Sequence, residues 1–137
     1  MKGAVSSMAD CACSGDNVLI FACSGGSNVG QISNEAAKRL DQEGIGRMYC
    51  LAGVGGAVEA MIANAQGADC VIAIDGCPVG CAKAVLDNAG VPVSSYTIVT
   101  DLGIEKEHRF EAKPDAIEVT CQAARAGMPE PRDIQSH

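Results

Sequence analysis

Tryptophan is absent from this 137-residue chain, and its other aromatic side chains are two phenylalanines and two tyrosines. Hydrophobic residues nevertheless make up 47% of the sequence. The core must therefore be built from valine, isoleucine, alanine and methionine, a composition that favours tightly packed strands and small-faced helices. A second core would need about another 100 residues, so the length predicts a single domain.

Basic residues are also scarce, with ten lysines and arginines against seventeen acidic residues and a net charge of −7. This balance argues against a nucleic-acid or anionic-membrane surface, where neutralisation of phosphates supplies most of the affinity. There is no apolar run of the roughly 18–20 residues that cross a bilayer, and the first sixteen residues lack the apolar centre of a signal peptide. The sequence therefore predicts a cytoplasmic protein with no nucleic-acid or membrane partner, and it leaves a protein partner open.

Four short apolar segments, typical of buried strands, alternate with segments of helical periodicity. The predicted strands lie in NVLIFACSGG, RMYCLAG, DCVIAIDGC and SSYTIVT. The helical positions are Val29, Ile32, Ala36, Ala37 and Leu40; Val54, Val58, Met61, Ile62 and Ala65; Val79, Ala82, Leu86 and Ala89; and Ile117, Cys121 and Ala124. Short connections and right-handed crossovers predict an α/β fold, a three-layer doubly wound domain with a mainly parallel four-stranded sheet in the order 2-1-3-4.

The boundaries of this domain follow from composition. Residues 1–14 and 128–137 are polar or small and are predicted to be a flexible arm and a mobile tail, which leaves 15–127 as the folded domain.

Ser27 or Asn28 is suited to cap the first helix and Gly44 to stop it. The loop DLGIEKEHRFEAKPD is longer than an ordinary connection and is predicted to carry an edge strand or a cover.

Three of the eight cysteines lie at or near the ends of the first three predicted strands. They are Cys23, Cys50 and Cys77, and a turn containing glycine follows each of them. Carboxyl ends of parallel strands share one edge of the sheet, about 4.8 Å apart, so the three thiols are expected to converge.

Cys81 is expected to join these three thiols. With Cys77 as N-cap and Pro78 as the first helical residue, Cys81 would lie about one turn into the third helix and tilt back toward its positive end. Four thiolates suit tetrahedral Zn²⁺, which is the predicted cofactor, and an iron–sulfur centre is the alternative. The sequence thus predicts a metal site made of Cys23, Cys50, Cys77 and Cys81.

The strings CSGGSNVGQIS, CLAGVGG and AIDGCPVGCAK, in that order, resemble the DGC-domain family, named for the Asp-Gly-Cys found here at residues 75–77. The resemblance covers roughly residues 17–103. It implies a zinc-binding protein in which four cysteines chelate the metal, and these fall on Cys23, Cys50, Cys77 and Cys81. It implies no particular biochemical activity, so the protein is interpreted as a metal-binding or metal-handling one.

Enzymatic alternatives use the same cysteines. Cys77 and Cys81 would form the dithiol of a redox enzyme, although CPVGC has one residue more than the thioredoxin-like Cys-x-x-Cys. Cys23 would be a nucleophile in a phosphate-cradling turn, but no arginine follows before Arg39. A zinc enzyme would need an open metal position, and a pocket lined by Ser24, Ser27 and Asn28 would favour it. Catalytic residues are therefore left unassigned.

Other cysteines and charges receive simpler interpretations. Cys70 and Cys121 are predicted to be small core residues, and Cys11 and Cys13 lie on the predicted N-terminal arm with no assigned role. Asp75 is either an acceptor near the metal or an ordinary turn residue. Lys83 is predicted to offset the net −2 charge of a zinc ion with four thiolates.

Overall fold

The computed structural model describes residues 17–129, and this range contains four strands and five α-helices. The strands are β1 (Val18–Ala22), β2 (Arg47–Met48), β3 (Cys70–Asp75) and β4 (Ser95–Ile98). The helices are α1 (Asn28–Gln42), α2 (Leu51–Gly55), α3 (Glu59–Gln66), α4 (Cys81–Asn88) and α5 (Pro114–Ala126). A 3₁₀ turn, Val99–Leu102, follows β4.

The four strands form one parallel sheet in the order β2-β1-β3-β4. The predicted α/β class and strand order are confirmed. β1 and β3 are buried along their whole length, as central strands covered on both faces must be. The chain changes direction across the sheet between β1 and β3, which is where ligands bind in folds of this type.

Alternate strand residues point into two separate cores. On one face Ile20 and Ile72 pack with α1 and α5, and on the other Phe21 and Val71 pack with α2, α3 and α4. This alternation follows from the two-residue period of a strand, and it produces the predicted three layers.

Helix α1 begins and ends where the sequence predicted. The Ser27 hydroxyl accepts a hydrogen bond from the Gly30 N–H at 3.0 Å, and Gly44 adopts a φ of 81° just after the helix. The capping hydroxyl satisfies one of the free N–H groups of the first turn, and only glycine adopts this left-handed conformation without steric cost.

The second predicted helix is divided into α2 and α3. Gly55 and Gly56 end the first piece, and Ala57 has a φ of 63°, which no helix accommodates. Met61 of α3 packs so closely on Gly53 that a side chain there would overlap the methionine sulfur. The break therefore lets α3 fold back against α2.

Parts of the boundary prediction fall outside the described range. The predicted arm, residues 1–14, and residues 130–137 of the predicted tail are not among the described residues. Within residues 17–129 no helix is long and apolar enough to cross a membrane.

Candidate metal centre

The carboxyl edge of the sheet brings three of the predicted ligands to neighbouring strand ends. Cys23 follows β1 directly, Cys77 lies two residues after β3, and Cys50 lies two residues after β2, at the residue directly before α2. Because β2, β1 and β3 are adjacent and parallel, these cysteines follow the same edge of the sheet.

The four thiols differ in their surroundings. Cys23 and Cys77 are half-buried, whereas Cys50 and Cys81 are exposed. Across residues 17–129 no group of three or more cysteine, histidine or acidic side chains is arranged to hold a metal ion. Four thiols are donors that suit a thiolate-binding metal, but they would have to come closer together than they do here to complete a site.

Cys23 is held by backbone and side-chain contacts. Its sulfur accepts a hydrogen bond from the Gly76 N–H at 3.1 Å and lies 3.3 Å from the Ser33 hydroxyl oxygen. The same hydroxyl contacts the Cys23 carbonyl oxygen. An N–H directed at the sulfur stabilises a thiolate and fixes its direction, as outer contacts do around metal ligands.

Gly76 ties the end of β3 to the start of α1. A Cβ placed on Gly76 would lie 2.7 Å from the Val29 carbonyl carbon and 2.8 Å from the Gly30 nitrogen. Only glycine permits this approach, which also places the Gly76 N–H against Cys23. The central residue of Asp75-Gly76-Cys77 therefore couples two of the strand ends.

Helix α4 begins later than predicted. Cys77 is not its N-cap and Pro78 is not its first residue, because Cys77 to Gly80 form a turn closed by the Gly80 N–H and the Cys77 carbonyl at 3.1 Å. Gly80 has a φ of 68° and is the N-cap, so Cys81 is the first helical residue rather than one turn in.

Asp75 is a buried capping residue for α4. Its carboxylate, 1% exposed, accepts hydrogen bonds from the Ala82 N–H at 2.8 Å and the Lys83 N–H at 3.0 Å. Gly80 has no side chain with which to cap the helix, so the carboxylate from β3 satisfies these two N–H groups. Asp75 thus lies at the end of its strand, as the second interpretation expected, and it caps α4.

The family model of the DGC domain matches residues 19–124. The chain belongs to the DGC domain family. It is 38% identical over 90 residues to the Anaerobic and virulence modulator AnvM of Pseudomonas aeruginosa, an alignment that covers 66% of this chain and 69% of the relative. No solved structure matches the chain.

The motif that gives the DGC family its name has a physical role at each position in this chain. Asp75 caps α4, Gly76 packs on the backbone of α1 and donates to Cys23, and Cys77 follows them with a half-buried thiol. The two residues that precede Cys77 are thus both fixed in place, Asp75 by its bonds to α4 and Gly76 by its contacts with α1 and Cys23.

Lys106 was not found from the sequence, and its ammonium lies 3.4 Å from the Cys77 sulfur. Lys83, predicted for the charge-offsetting role, instead pairs with Asp87 at 2.8 Å, one turn along α4. Lys106 belongs to the long loop for which an edge strand or a cover was predicted. No local sequence pattern defines the path of that loop. The positive charge next to the thiols is therefore supplied by that loop.

Residues 103–113, all of them described, form this covering segment and contain no strand. Asn28 attaches it, since its side chain donates to the Glu105 carbonyl at 2.8 Å and accepts from the Glu107 N–H at 2.6 Å. The His108 ring also bonds to the Gly26 carbonyl at 3.0 Å. Of the two alternatives predicted for this loop, an edge strand is not formed within residues 103–113, and the segment instead bonds to the start of α1 and the loop before it.

Ser24, Ser27 and Asn28, whose grouping around a pocket would favour a zinc enzyme, make hydrogen bonds within the fold. Ser27 caps α1, Asn28 holds the covering segment, and the Ser24 carbonyl accepts from the Gln31 amide at 3.0 Å. These contacts give the three residues a role in shaping the loop after Cys23.

Cys70 and Cys121 lie in the core, as predicted, with 1% and 0% of their surfaces exposed. Burial raises the pKa of the Cys121 thiol, whose sulfur lies 3.5 Å from the Ala36 carbonyl oxygen. A buried thiol with a raised pKa is a weak nucleophile because the thiolate is the reactive form.

We therefore expect Cys121 to resist alkylation in the folded, chelator-treated protein, while the exposed Cys50 and Cys81 are labelled at the rate of an accessible thiol. Iodoacetamide labelling followed by peptide mass spectrometry measures each cysteine separately. Labelling repeated in denaturant is the control, since unfolding should make Cys121 as reactive as the others. Equal rates for Cys121 and Cys50 in the folded protein would contradict the structure.

Proposed function

We propose that this protein binds one zinc ion through Cys23, Cys50, Cys77 and Cys81 and acts as a metal-binding or metal-handling protein. The observation that carries the proposal is the placement of three cysteines after adjacent parallel strands, with Cys81 at the start of the helix that follows the third. Four thiols are the donor set that Zn²⁺ binds in closed tetrahedral sites.

The surroundings of the thiols support a site for an anionic metal–thiolate group. The Gly76 N–H points at Cys23, and the Lys106 ammonium contacts Cys77. The ammonium places a positive charge beside sulfur and the N–H places the positive end of a dipole there, and both partly offset the net −2 charge of one zinc ion and four thiolates. The exposure of Cys50 and Cys81 supports metal exchange with solvent or with a partner.

The proposal includes a cytoplasmic location, because the four proposed ligands are free thiols, which persist in a reducing compartment. The relative AnvM carries the name of a modulator. A non-catalytic protein whose shape or interactions depend on bound metal is compatible with that name, and a closed site of four thiolates leaves no open position for catalysis.

Metal analysis tests the proposal. Untagged protein purified without oxygen is expected to contain one zinc per chain by mass spectrometry, and Cys77→Ser is expected to lose it. Cys121→Ala is the matched control, because this buried thiol lies in the core on α5 and its removal should leave the zinc in place. If the analysis finds iron and inorganic sulfide instead of zinc, the metal centre is an iron–sulfur cluster. Metal-free wild-type protein with reactive thiols would overturn the proposal.

A thiol redox function is the second candidate, and the contact between Lys106 and Cys77 favours it. A cation beside a sulfur favours the thiolate, which is the attacking species in thiol–disulfide exchange. Titration of thiols with and without a chelator separates the two functions. Bound zinc masks thiols until the chelator removes it, whereas a redox dithiol reacts equally in both conditions.

A further inference from the structure

Asp75 closes the loop that carries two of the proposed ligands. Residues 76–81 contain Cys77 and Cys81, and the loop begins directly after Asp75 on β3. The Asp75 carboxylate accepts hydrogen bonds from the backbone N–H groups of Ala82 and Lys83, directly after the loop. One side chain therefore joins the two ends of the segment that contains both cysteines.

Tyr96 completes the environment of this carboxylate from the neighbouring strand β4. Its hydroxyl donates to Asp75 Oδ2 at 2.8 Å, and the Lys83 ammonium lies 6.0 Å from the centre of its ring. Burial, followed by the hydrogen bond and the charge of Asp75, raises the pKa of the phenol. Tyr96 thus remains a proton donor at neutral pH, and Asp75 accepts from three donors.

We infer that Asp75 and Tyr96 are positioning residues for the metal centre, which hold residues 76–81 closed and so limit how far the Cys77 and Cys81 thiols can separate before metal binds. This inference rests on the proposed function. The hydrogen bonds of Asp75 limit the conformations of the loop in the free protein, so less conformational entropy is lost when both thiols coordinate the ion. Neither residue is a ligand, and both act through the backbone of α4.

Tyr96→Phe is the sharpest test, because it removes one hydrogen bond and leaves both backbone bonds to Asp75 intact. We expect zinc to bind about tenfold more weakly, the lower end of the effect of losing an outer contact around a metal site. Competition with a chromophoric chelator measures the dissociation constant. Asp75→Asn should weaken binding further, since an amide nitrogen cannot accept from a backbone N–H.

Ser94→Ala is the matched control. It also removes one hydrogen bond of a side-chain hydroxyl, from the Val71 N–H at 3.1 Å, but at the amino end of β4. It should lower stability without changing zinc affinity. The charge-transfer absorbance of the Co²⁺-loaded protein is a second readout, which a purely structural role for Tyr96 would not alter.

The outcomes separate the inference from the function on which it rests. Weaker metal binding by Tyr96→Phe but not by Ser94→Ala supports the positioning role. Equal zinc affinity of Tyr96→Phe and wild type would overturn the inference while leaving the zinc site standing. Wild-type protein that binds neither zinc nor cobalt would overturn both.

Discussion

Replacing Gly76 by alanine is expected to destabilise the folded protein by about 3 kcal/mol, the upper part of the usual range for overpacking a rigid site. The added methyl group would lie 2.7–2.9 Å from the backbone of Val29 and Gly30. Backbone atoms in the first turn of α1 cannot rotate away as a side chain can. Either α1 or the end of β3 must move, and the hydrogen bond from the Gly76 N–H to Cys23 would be lengthened.

Urea denaturation followed by circular dichroism measures this loss as a change in the free energy of unfolding. Gly25→Ala is the matched control, because it adds the same methyl group in the neighbouring loop, where nothing lies within 4 Å. The control should change stability by less than about 0.5 kcal/mol. Equal midpoints for the two variants, with unchanged slopes, would show that the close approach at Gly76 is not a constraint.

The fold could be predicted because its main determinants are local. Apolar β-branched runs alternate with helical patterns, and right-handed crossovers restrict the order in which parallel strands can pair. The cap at Ser27 and the stop at Gly44 also depend on neighbouring residues alone. The sequence therefore predicts α1 and the strand order correctly. The strand order in turn predicts that Cys23, Cys50 and Cys77 lie at one edge of the sheet.

The start of α4 could not be predicted from local rules. An ordinary N-cap is adjacent to the helix it caps, whereas Asp75 lies five residues before Gly80 and reaches α4 from another element. Cys77 and Pro78 resemble a helix start because proline suits the first turn. A buried carboxylate that satisfies two N–H groups outweighs that preference, and the first helical residue becomes Cys81.

Tertiary structure also decides which lysine lies beside Cys77. Lys83 is near Cys81 in sequence, but an ion pair one turn along the helix holds it at Asp87. Lys106 is 29 residues from Cys77 in the sequence. It lies beside Cys77 because Asn28 forms hydrogen bonds with the residues on either side of it, Glu105 and Glu107. No local sequence pattern predicts where this segment runs, because its position is set by hydrogen bonds between its backbone and a side chain of α1.

Asn28→Ala is expected to release the covering segment while leaving α1 intact. The change removes the two side-chain hydrogen bonds, to the Glu105 carbonyl and from the Glu107 N–H, and keeps the bond from the Asn28 backbone N–H to the Glu107 carbonyl at 3.0 Å. Alanine is a good helix former at this position. Two such bonds contribute about 2 kcal/mol to closure of the segment. The Glu107 amide should therefore exchange with solvent deuterium about thirtyfold faster.

Hydrogen exchange with peptide or NMR resolution measures this opening directly. Asn64→Ala is the matched control, since Asn64 also donates a hydrogen bond, to the Tyr49 hydroxyl at 2.8 Å, but on a different part of the surface. It should leave the Glu107 amide unchanged. If Asn28→Ala also leaves that amide protected, the segment is held by other contacts, such as the His108 bond to the Gly26 carbonyl. If exchange accelerates as expected, Asn28 controls the position of Lys106, and the positive charge at Cys77 depends on a residue that touches neither group.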